Sequence, residues 1–370
     1  MKKNVLWMLT GLALVSLIAA LAFTGCDNGS TSGGLVPDPV DKTALQTALT
    51  AADAAKNGTA DSLYWVKTDD LTAFETAITA AKTVYDDDDA DQAAVDSAKG
   101  TLTTATSTFT TTHKKDAGTT DPAAALTNIS TAYNGGTGWP GSPSDPASVT
   151  IIVLGTIDDT SGVGSYGWLE ITGANAYPPI VLQGAAAGGE LDADSTYRVL
   201  YIGDSNKVTL GANLTLTRGN IESGVWVEDS TFFMTGGTIS NSTGSAGGGV
   251  TLNGTSYFTM EGGIISGNTG SEGGGVYVSS NSTFIMNSGI ISGNTATSTG
   301  GGVWLASNAD FTKTGGTING GGVTVPPDNK ATTNGHAVYW NRSAGKKKVD
   351  GTVSGALSND NTNEPWVNVP

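Results

Sequence analysis

The side chains able to carry out chemistry are few in this chain of 370 residues. Two histidines and one cysteine, Cys26, are present, which excludes a disulfide within the chain and a zinc site built from Cys and His ligands. Acidic residues number 34 and basic residues 18, giving a formal net charge of −16. Because phosphate binding requires clustered lysine and arginine, we expect no nucleic-acid partner.

Acid–base catalysis requires carboxylates that lie close together, and elimination chemistry also requires a basic side chain beside them. The candidate bases, Arg198 and Arg218, have no obvious carboxylate companions in the sequence. The candidate acids fall at different positions of the sequence repeat described below: Glu228, Asp229, Glu261 and Glu272. We therefore expect no catalytic residues and no cofactor.

The acidic run Asp86–Asp91 invites a calcium-binding interpretation. An EF-hand loop that starts at Asp87 requires glycine at its sixth position and glutamate at its twelfth. Those positions hold Gln92 and Ala98. We expect no metal site, and we expect the carboxylates to lie at a helix N-terminus, where they favour the helix dipole.

Aromatic side chains recur in one short, valine-rich segment of each repeat, between two residues expected to face inward. They form the candidate ligand-binding surface: Trp226, Tyr277, Trp304 and Tyr339, with Thr251 at the equivalent position of one repeat. Exposed rings in a row favour contact with sugar faces or with proteins. The alternative is that the rings stack along a sheet and only stabilise it.

A repeat of about 26 residues must position these rings. It is marked by one phenylalanine per period, at Phe232, Phe258, Phe284 and Phe311. Within a period, apolar residues alternate in very short runs that are punctuated by glycine, asparagine and serine. Alternation predicts strands, and a fixed period predicts a solenoid.

Three short strands per period fit one turn, or rung, of a right-handed parallel β-helix. We expect valine, phenylalanine, methionine and isoleucine to stack on their own kind inside it, and Asn268 and Asn294 to form a short polar stack. The solenoid is predicted to span residues 116–370, with regular repeats over about 220–345. Lys313 occupies a methionine position, so we expect the tube to be frayed or capped there.

Residues 41–115 follow a helical period. Leu45, Phe74 and Val95 each lie on an apolar stripe, which predicts a three-helix bundle before the β-helix. The segment resembles the FIVAR domain at Leu45, Trp65, Phe74, Ala77, Ile78, Ala81, Val95, Ala98 and Leu102. That resemblance implies a spacer or a carbohydrate-associated module without catalysis.

The N-terminus carries Lys2 and Lys3, followed by an apolar stretch from Val5 to Phe23. The sequence LAFTGC, from Leu21 to Cys26 at the end of this stretch, resembles the lipobox of bacterial lipoproteins, although Phe23 stands where leucine is usual. The resemblance implies a signal peptide over residues 1–25, a lipid on Cys26 and a flexible tether over residues 26–40. An uncleaved membrane-spanning helix is the alternative.

The repeats, of the form GGxISGN followed by GGGVY, resemble those of bacterial polymorphic outer-membrane and adhesin-like proteins and of the pectate-lyase-like fold. The resemblance marks the architecture more than the activity. Together with the scattered acids described above, it favours adhesion or surface display without catalysis, with glycans, host proteins or envelope proteins as partners. We expect attachment to the membrane through Cys26, at the outer membrane or cell surface in preference to the inner membrane. A polysaccharide lyase or glycoside hydrolase and a passive structural spacer are the alternatives.

Overall fold

The computed structural model of the protein describes residues 39–57, 62–116, 148–158, 169–172, 179–194, 197–220, 222–320, 327–333 and 335–341. The described residues from Asp41 onward belong to one compact unit. The predicted signal peptide, Cys26 and all but the last two residues of the predicted tether lie outside the described residues.

Three α-helices come first: α1 (Thr43–Asn57), α2 (Thr68–Asp86) and α3 (Gln92–Thr108), which continues into a π-helical turn (Phe109–His113). Their buried residues recur at the spacing of one helical face: Leu45, Leu49, Ala52, Leu71, Phe74, Ala81, Val95 and Leu102. Asp91 caps α3, because its Oδ1 accepts a hydrogen bond from the Ala94 N–H at 2.7 Å. The three helices are confirmed, and the FIVAR resemblance stays a prediction.

A strand that the sequence analysis did not predict joins the helices to the solenoid. This strand, β1 (Ser62–Lys67), pairs antiparallel with β2 (Lys115–Asp116) and with β3 (Val149–Asp158). Tyr64 packs among the helices, whereas its neighbour Trp65 packs in the solenoid core. Burial on both faces explains why this segment is apolar without alternation. The domain boundary predicted at residue 115 therefore falls inside a layer that both parts share.

The remaining strands in chain order are β4 (Leu169–Ile171), β5 (Ile180–Asp192), β6 (Leu200–Ile202), β7 (Lys207–Leu210), β8 (Leu214–Thr217), β9 (Val225–Glu228), β10 (Thr231–Met234), β11 (Thr238–Ser240), β12 (Val250–Asn253), β13 (Tyr257–Met260), β14 (Ile264–Ser266), β15 (Thr269–Glu272), β16 (Val276–Val278), β17 (Thr283–Met286), β18 (Ile290–Ser292), β19 (Thr295–Thr299), β20 (Val303–Leu305), β21 (Asp310–Lys313), β22 (Thr317–Ile318), β23 (Lys330–Ala331) and β24 (Val338–Trp340).

These strands form the three long faces of a right-handed parallel β-helix. The Phe face contains β7, β10, β13, β17 and β21, and the Ile face contains β8, β11, β14, β18 and β22. The Val face contains β4, β6, β9, β12, β16, β20 and β24. The long strand β5 pairs with the first strand of both the Phe face and the Ile face, so these two faces form one sheet. The Val face is a second sheet, and a short third sheet contains β15, β19 and β23. The predicted fold class is confirmed.

The core of the solenoid consists of like residues stacked in register. Phe232, Phe258, Phe284 and Phe311 pair along the Phe face, and their successive ring centroids lie 5.1, 4.8 and 5.2 Å apart. All four rings are buried, with no more than 1% of their surface exposed. This arrangement confirms the predicted inward positions and explains the period, because each rung buries its rings against those of the next.

The glycine triplet before each Val-face strand is required by the close approach of neighbouring rungs. A Cβ atom on Gly274 would lie 2.5 Å from the carbonyl oxygen of Gly301. A Cβ on Gly275 would lie 2.6 Å from that of Gly302. Both separations are shorter than van der Waals contact, so only glycine fits where backbone packs directly on backbone.

The predicted asparagine stack is present and is longer than expected. Asn268, Asn294 and Asn329 are fully buried in consecutive rungs. The Asn294 Nδ2 donates to the Ile265 carbonyl and to the Asn329 Oδ1, each at 2.9 Å. Asn329 was not identified from the sequence, because it follows Asn294 by 35 residues, whereas Asn294 follows Asn268 by 26. The stack supplies hydrogen bonds to buried backbone groups at the turn.

Lys313 lies in register with Met286 and is only 7% exposed. Its Nζ donates to the Gly316 carbonyl at 2.9 Å, so the ammonium has an acceptor in the turn that follows. Burial lowers the pKa of Lys313. The rung itself is not frayed, since β21 and β22 both pair with the preceding rung. In the described residues the Phe face and the Ile face end here, whereas β24 continues the Val face.

The Phe face yields a stability prediction. Replacing Phe284 with alanine removes a ring held between Phe258 and Phe311, so the free energy of unfolding should fall by about 3–5 kcal/mol. Thr283→Ala changes the adjacent outward position and should cost less than about 1 kcal/mol. Thermal and denaturant unfolding would measure both. Equal losses would contradict the assignment of inward and outward positions.

Lys313 yields a second prediction. Lys313→Met restores the methionine stack and removes a buried cation, so the free energy of unfolding at neutral pH should rise by about 1 kcal/mol. Because the native pKa is lowered, the unfolded chain binds this proton more tightly. Wild-type stability therefore rises between that lowered pKa and about 10.4, and the advantage of the variant shrinks there.

The matched control for this substitution is Lys330→Met, because Lys330 is exposed on β23. It should leave both the melting temperature and its pH dependence unchanged. A lower melting temperature for Lys313→Met than for the wild type would show that the Gly316 hydrogen bond outweighs the cost of burying the ammonium.

Candidate binding surface on the Val face

The predicted aromatic positions lie in one column on the outer side of the Val face. Strand pairing brings the members of this column together in the order Glu170, Tyr201, Trp226, Thr251, Tyr277, Trp304 and Tyr339. The four residues predicted to bind a ligand therefore lie in one register, and ligand binding by them stays a prediction. Tyr201 was missed, although it too stands between two inward aliphatic residues, Leu200 and Ile202.

Thr251 divides the column into two aromatic groups. Its side chain is buried, and its Oγ1 accepts a hydrogen bond from the Gly247 N–H at 3.2 Å. We call Tyr201 and Trp226 the first aromatic group, and Tyr277, Trp304 and Tyr339 the second. The row of rings is thus interrupted at Thr251, the position that the sequence already marks as non-aromatic, and the two groups differ in their surroundings.

The second aromatic group is packed together. The Tyr277 and Trp304 rings stack with centroids 4.6 Å apart and planes inclined by 5°. Trp304 is only 5% exposed, belongs to the hydrophobic core, and has register partners on both sides, Tyr277 and Tyr339. Burial raises the pKa of the Tyr277 hydroxyl, and Glu272 raises it further. The expectation that Trp304 presents a ring face to solvent is wrong, because its strand neighbours take up that space.

The first aromatic group surrounds a cation from the chain itself. The Arg198 Cζ lies 4.7 Å from the Trp226 ring centroid and 5.3 Å from that of Tyr201, within the range of cation–π attraction. The guanidinium also forms an ion pair with the Glu222 carboxylate. Burial lowers the pKa of Arg198, while the neighbouring Tyr201 and Glu228 oppose that shift.

Glu228 holds both rings in place. Its Oε2 accepts from the Tyr201 hydroxyl at 2.8 Å and from the Trp226 Nε1 at 3.3 Å. Its Oε1 accepts from the Asn253 Nδ2 at 3.2 Å. Burial and the hydrogen bond to Glu228 raise the pKa of the Tyr201 hydroxyl, so it remains protonated and continues to donate.

A second arginine–carboxylate cluster lies at the end of β5. The Arg218 Nε donates to both Asp192 oxygens at 2.7 Å, and its Nη1 lies 3.0 Å from the Asp194 Oδ1. The expectation that Arg198 and Arg218 lack carboxylate companions is therefore wrong. Residues about one period apart become neighbours in a solenoid, and neither pairing is visible as a local sequence motif.

A separate groove lies on the Ile face near the N-terminal rungs. It encloses about 520 Å³ and is lined mainly by glycine, small polar residues and Glu190. Its lining includes none of the aromatic residues of the Val face. With so few side chains to orient a ligand, the groove has weaker recognition chemistry than the first aromatic group.

Two further findings concern metal ions and membrane spans. In the part of the chain that the structure describes, no cluster of three or more His, Cys, Asp or Glu side chains is arranged to hold a metal ion. Across those same residues, no helix is both long and apolar enough to span a bilayer.

Residues 194–352 match a family model described as the right handed beta helix region. The chain thus contains a right-handed β-helix domain. No curated protein and no solved structure matches the chain. The matched range covers the regular rungs and both aromatic groups of the Val face, so it supports the architecture that positions them. This fold occurs in polysaccharide-cleaving enzymes and in proteins without catalysis, so it does not decide the activity.

The two aromatic groups predict different responses to mutation. Trp304→Ser removes a buried ring and should lower the free energy of unfolding by about 3–5 kcal/mol. The control is Tyr257→Ser on the Phe face, where the ring is 50% exposed, and it should cost less than about 1 kcal/mol. Denaturant unfolding compares the two. A small loss for Trp304→Ser would mean that its ring is available to ligands after all.

Proposed function

We propose that this chain is a lipid-anchored cell-envelope surface protein whose β-helix binds a partner without catalysing a reaction. The observation that carries the proposal is the first aromatic group. Two rings one rung apart are partly exposed, and Glu228 fixes their orientation through hydrogen bonds to both. Rings held in place by buried strands need little reordering when a partner binds, which favours recognition.

The hydrogen bonds of the carboxylates support binding over acid–base catalysis. Both oxygens of Glu228 accept hydrogen bonds from side chains of the protein, and Glu222 is paired with Arg198. A general acid or base must exchange a proton with a substrate within hydrogen-bond reach. Carboxylates that accept from three fixed donors, or that neutralise an arginine, serve better to position other side chains.

A polysaccharide-cleaving enzyme remains the second candidate, because one observation favours it. Arg198 lies next to Glu222 and within the electrostatic influence of Glu170 and Glu228, so a basic group and carboxylates are close together on the solenoid surface. Detectable depolymerisation of an envelope or plant-type polysaccharide by the purified chain would favour this candidate over non-catalytic binding.

The lipid anchor is supported by the sequence alone, through Cys26 and the lipobox-like residues before it. In cells, Cys26→Ser should abolish labelling by a fatty-acid analogue and move the protein from the membrane fraction to the soluble fraction, because a single thiol carries the attachment. Ser30→Ala, in the predicted tether, is the control and should change neither property.

Two outcomes would contradict this proposal. Membrane retention of Cys26→Ser without a label would identify an uncleaved helix as the anchor. Protection of the β-helix from protease added to intact cells would contradict display at the surface. The control is that the same protease digests the β-helix once the cells are lysed.

A further inference from the structure

We propose that the first aromatic group and the carboxylates around it form a docking surface for a basic segment of a protein partner, one that presents arginine or lysine side chains. This inference rests on the proposed role as a surface binding protein and adds the chemistry of the partner. It is carried by the chemistry of the surface, by its charge and by its accessibility.

The chemistry of the surface suits a cation. The face of an aromatic ring attracts positive charge through its quadrupole, most strongly for tryptophan. The chain itself demonstrates this preference, because the Arg198 guanidinium rests against both Trp226 and Tyr201. Glu228 orients the two rings, so the carboxylate that positions them also adds negative charge beside them.

The negative charge around the first aromatic group is larger than the single positive charge of Arg198. Five carboxylates belong to this part of the Val face and to the turns on either side of it: Glu170, Asp204, Glu222, Glu228 and Asp229. Glu170 and Glu228 act electrostatically on Arg198, and Asp204 acts on Tyr201. Five acids against Arg198 and Lys207, which begins β7 after the Asp204 turn, give this region a negative formal charge. The net charge of −16 extends the attraction of cations beyond the patch.

The surface is accessible from solvent. Asp204 and Asp229 are exposed at the turns, while Tyr201, Trp226 and Glu228 are each partly exposed. The second aromatic group differs, because its central ring, Trp304, is buried. The first group is therefore the part of the column that a partner can reach with both rings and charges.

Charge complementarity selects a basic protein segment over other partners. Acidic polysaccharides and nucleic acids would be repelled by this excess of carboxylates. A neutral sugar could stack on the rings but would gain nothing from the charge. A segment with arginine or lysine interacts with the rings through cation–π contacts and with the carboxylates through ion pairs. Arginine also binds carboxylates in a bidentate manner.

The test uses the full chain in a non-ionic detergent, with a fluorescent peptide of about eight arginines as the probe and a glycine–serine peptide of equal length as the neutral control. Fluorescence anisotropy gives the Kd between about 50 and 500 mM NaCl. We expect the arginine peptide to bind with a Kd that rises with salt, and the neutral peptide not to bind.

Four variants separate a built surface from general attraction to an acidic protein. Trp226→Leu removes a ring without changing the charge and should weaken binding about 2- to 30-fold. Glu228→Gln removes one charge and should weaken binding by up to about 5-fold. The matched controls, Tyr257→Leu and Glu261→Gln, change an exposed ring and an exposed acid outside the Val face and should leave the Kd unchanged.

Circular dichroism melting establishes that each variant is folded. If Trp226→Leu does not fold, the comparison of Glu228→Gln with Glu261→Gln decides between a built surface and general attraction to an acidic protein. Equal weakening by these two acid substitutions would overturn the inference, because it would show attraction to the net charge alone. Salt-independent binding of a neutral oligosaccharide, lost in Trp226→Leu, would also overturn it, yet would leave the proposed surface-binding function standing. Protection of the β-helix from protease added to intact cells, the test described above, would contradict that function separately.

Discussion

The structure depends on one constraint: consecutive rungs stack in register, so every residue lies beside its counterpart about one period away. Parallel hydrogen bonds between rungs hold the register, and a slip by one residue would turn the core outward. The phenylalanine rings therefore meet phenylalanine rings, and the buried asparagines bond to one another. The same constraint explains the glycine triplet, because Gly274 and Gly275 pack on the backbone of the next rung.

This register also organises the outer surface, with different results at its two ends. Near the C-terminal rungs, Tyr277 and Trp304 stack so closely that Trp304 becomes part of the core and serves stability. Near the N-terminal rungs, Trp226 instead shares its surroundings with Arg198 and Glu228. A column of like positions thus contains one structural group and one group suited to recognition, because the residues in the adjoining turns differ.

The helices contribute by protecting the start of the solenoid. An exposed first strand would offer unpaired backbone groups to other chains. Here β1 pairs antiparallel with β3 on the side away from β5, so that edge is covered. Tyr64 and Trp65 secure the arrangement by packing in the helical core and the solenoid core respectively.

The sequence by itself determined the helices, the β-helix, the inward positions of Phe232 to Phe311 and the column that contains Trp226 and Trp304. Periodicity suffices for these features because each rung repeats the same burial pattern. Only the tertiary structure decided that Trp304 is buried, that β1 bridges the two cores and that Lys313 is accommodated by the Gly316 carbonyl. It also decided the pairing of Arg198 with Glu222 and of Arg218 with Asp192. These contacts join residues about one period apart through irregular turns, whose paths depend on packing against neighbouring rungs, and no local pattern of residues specifies them.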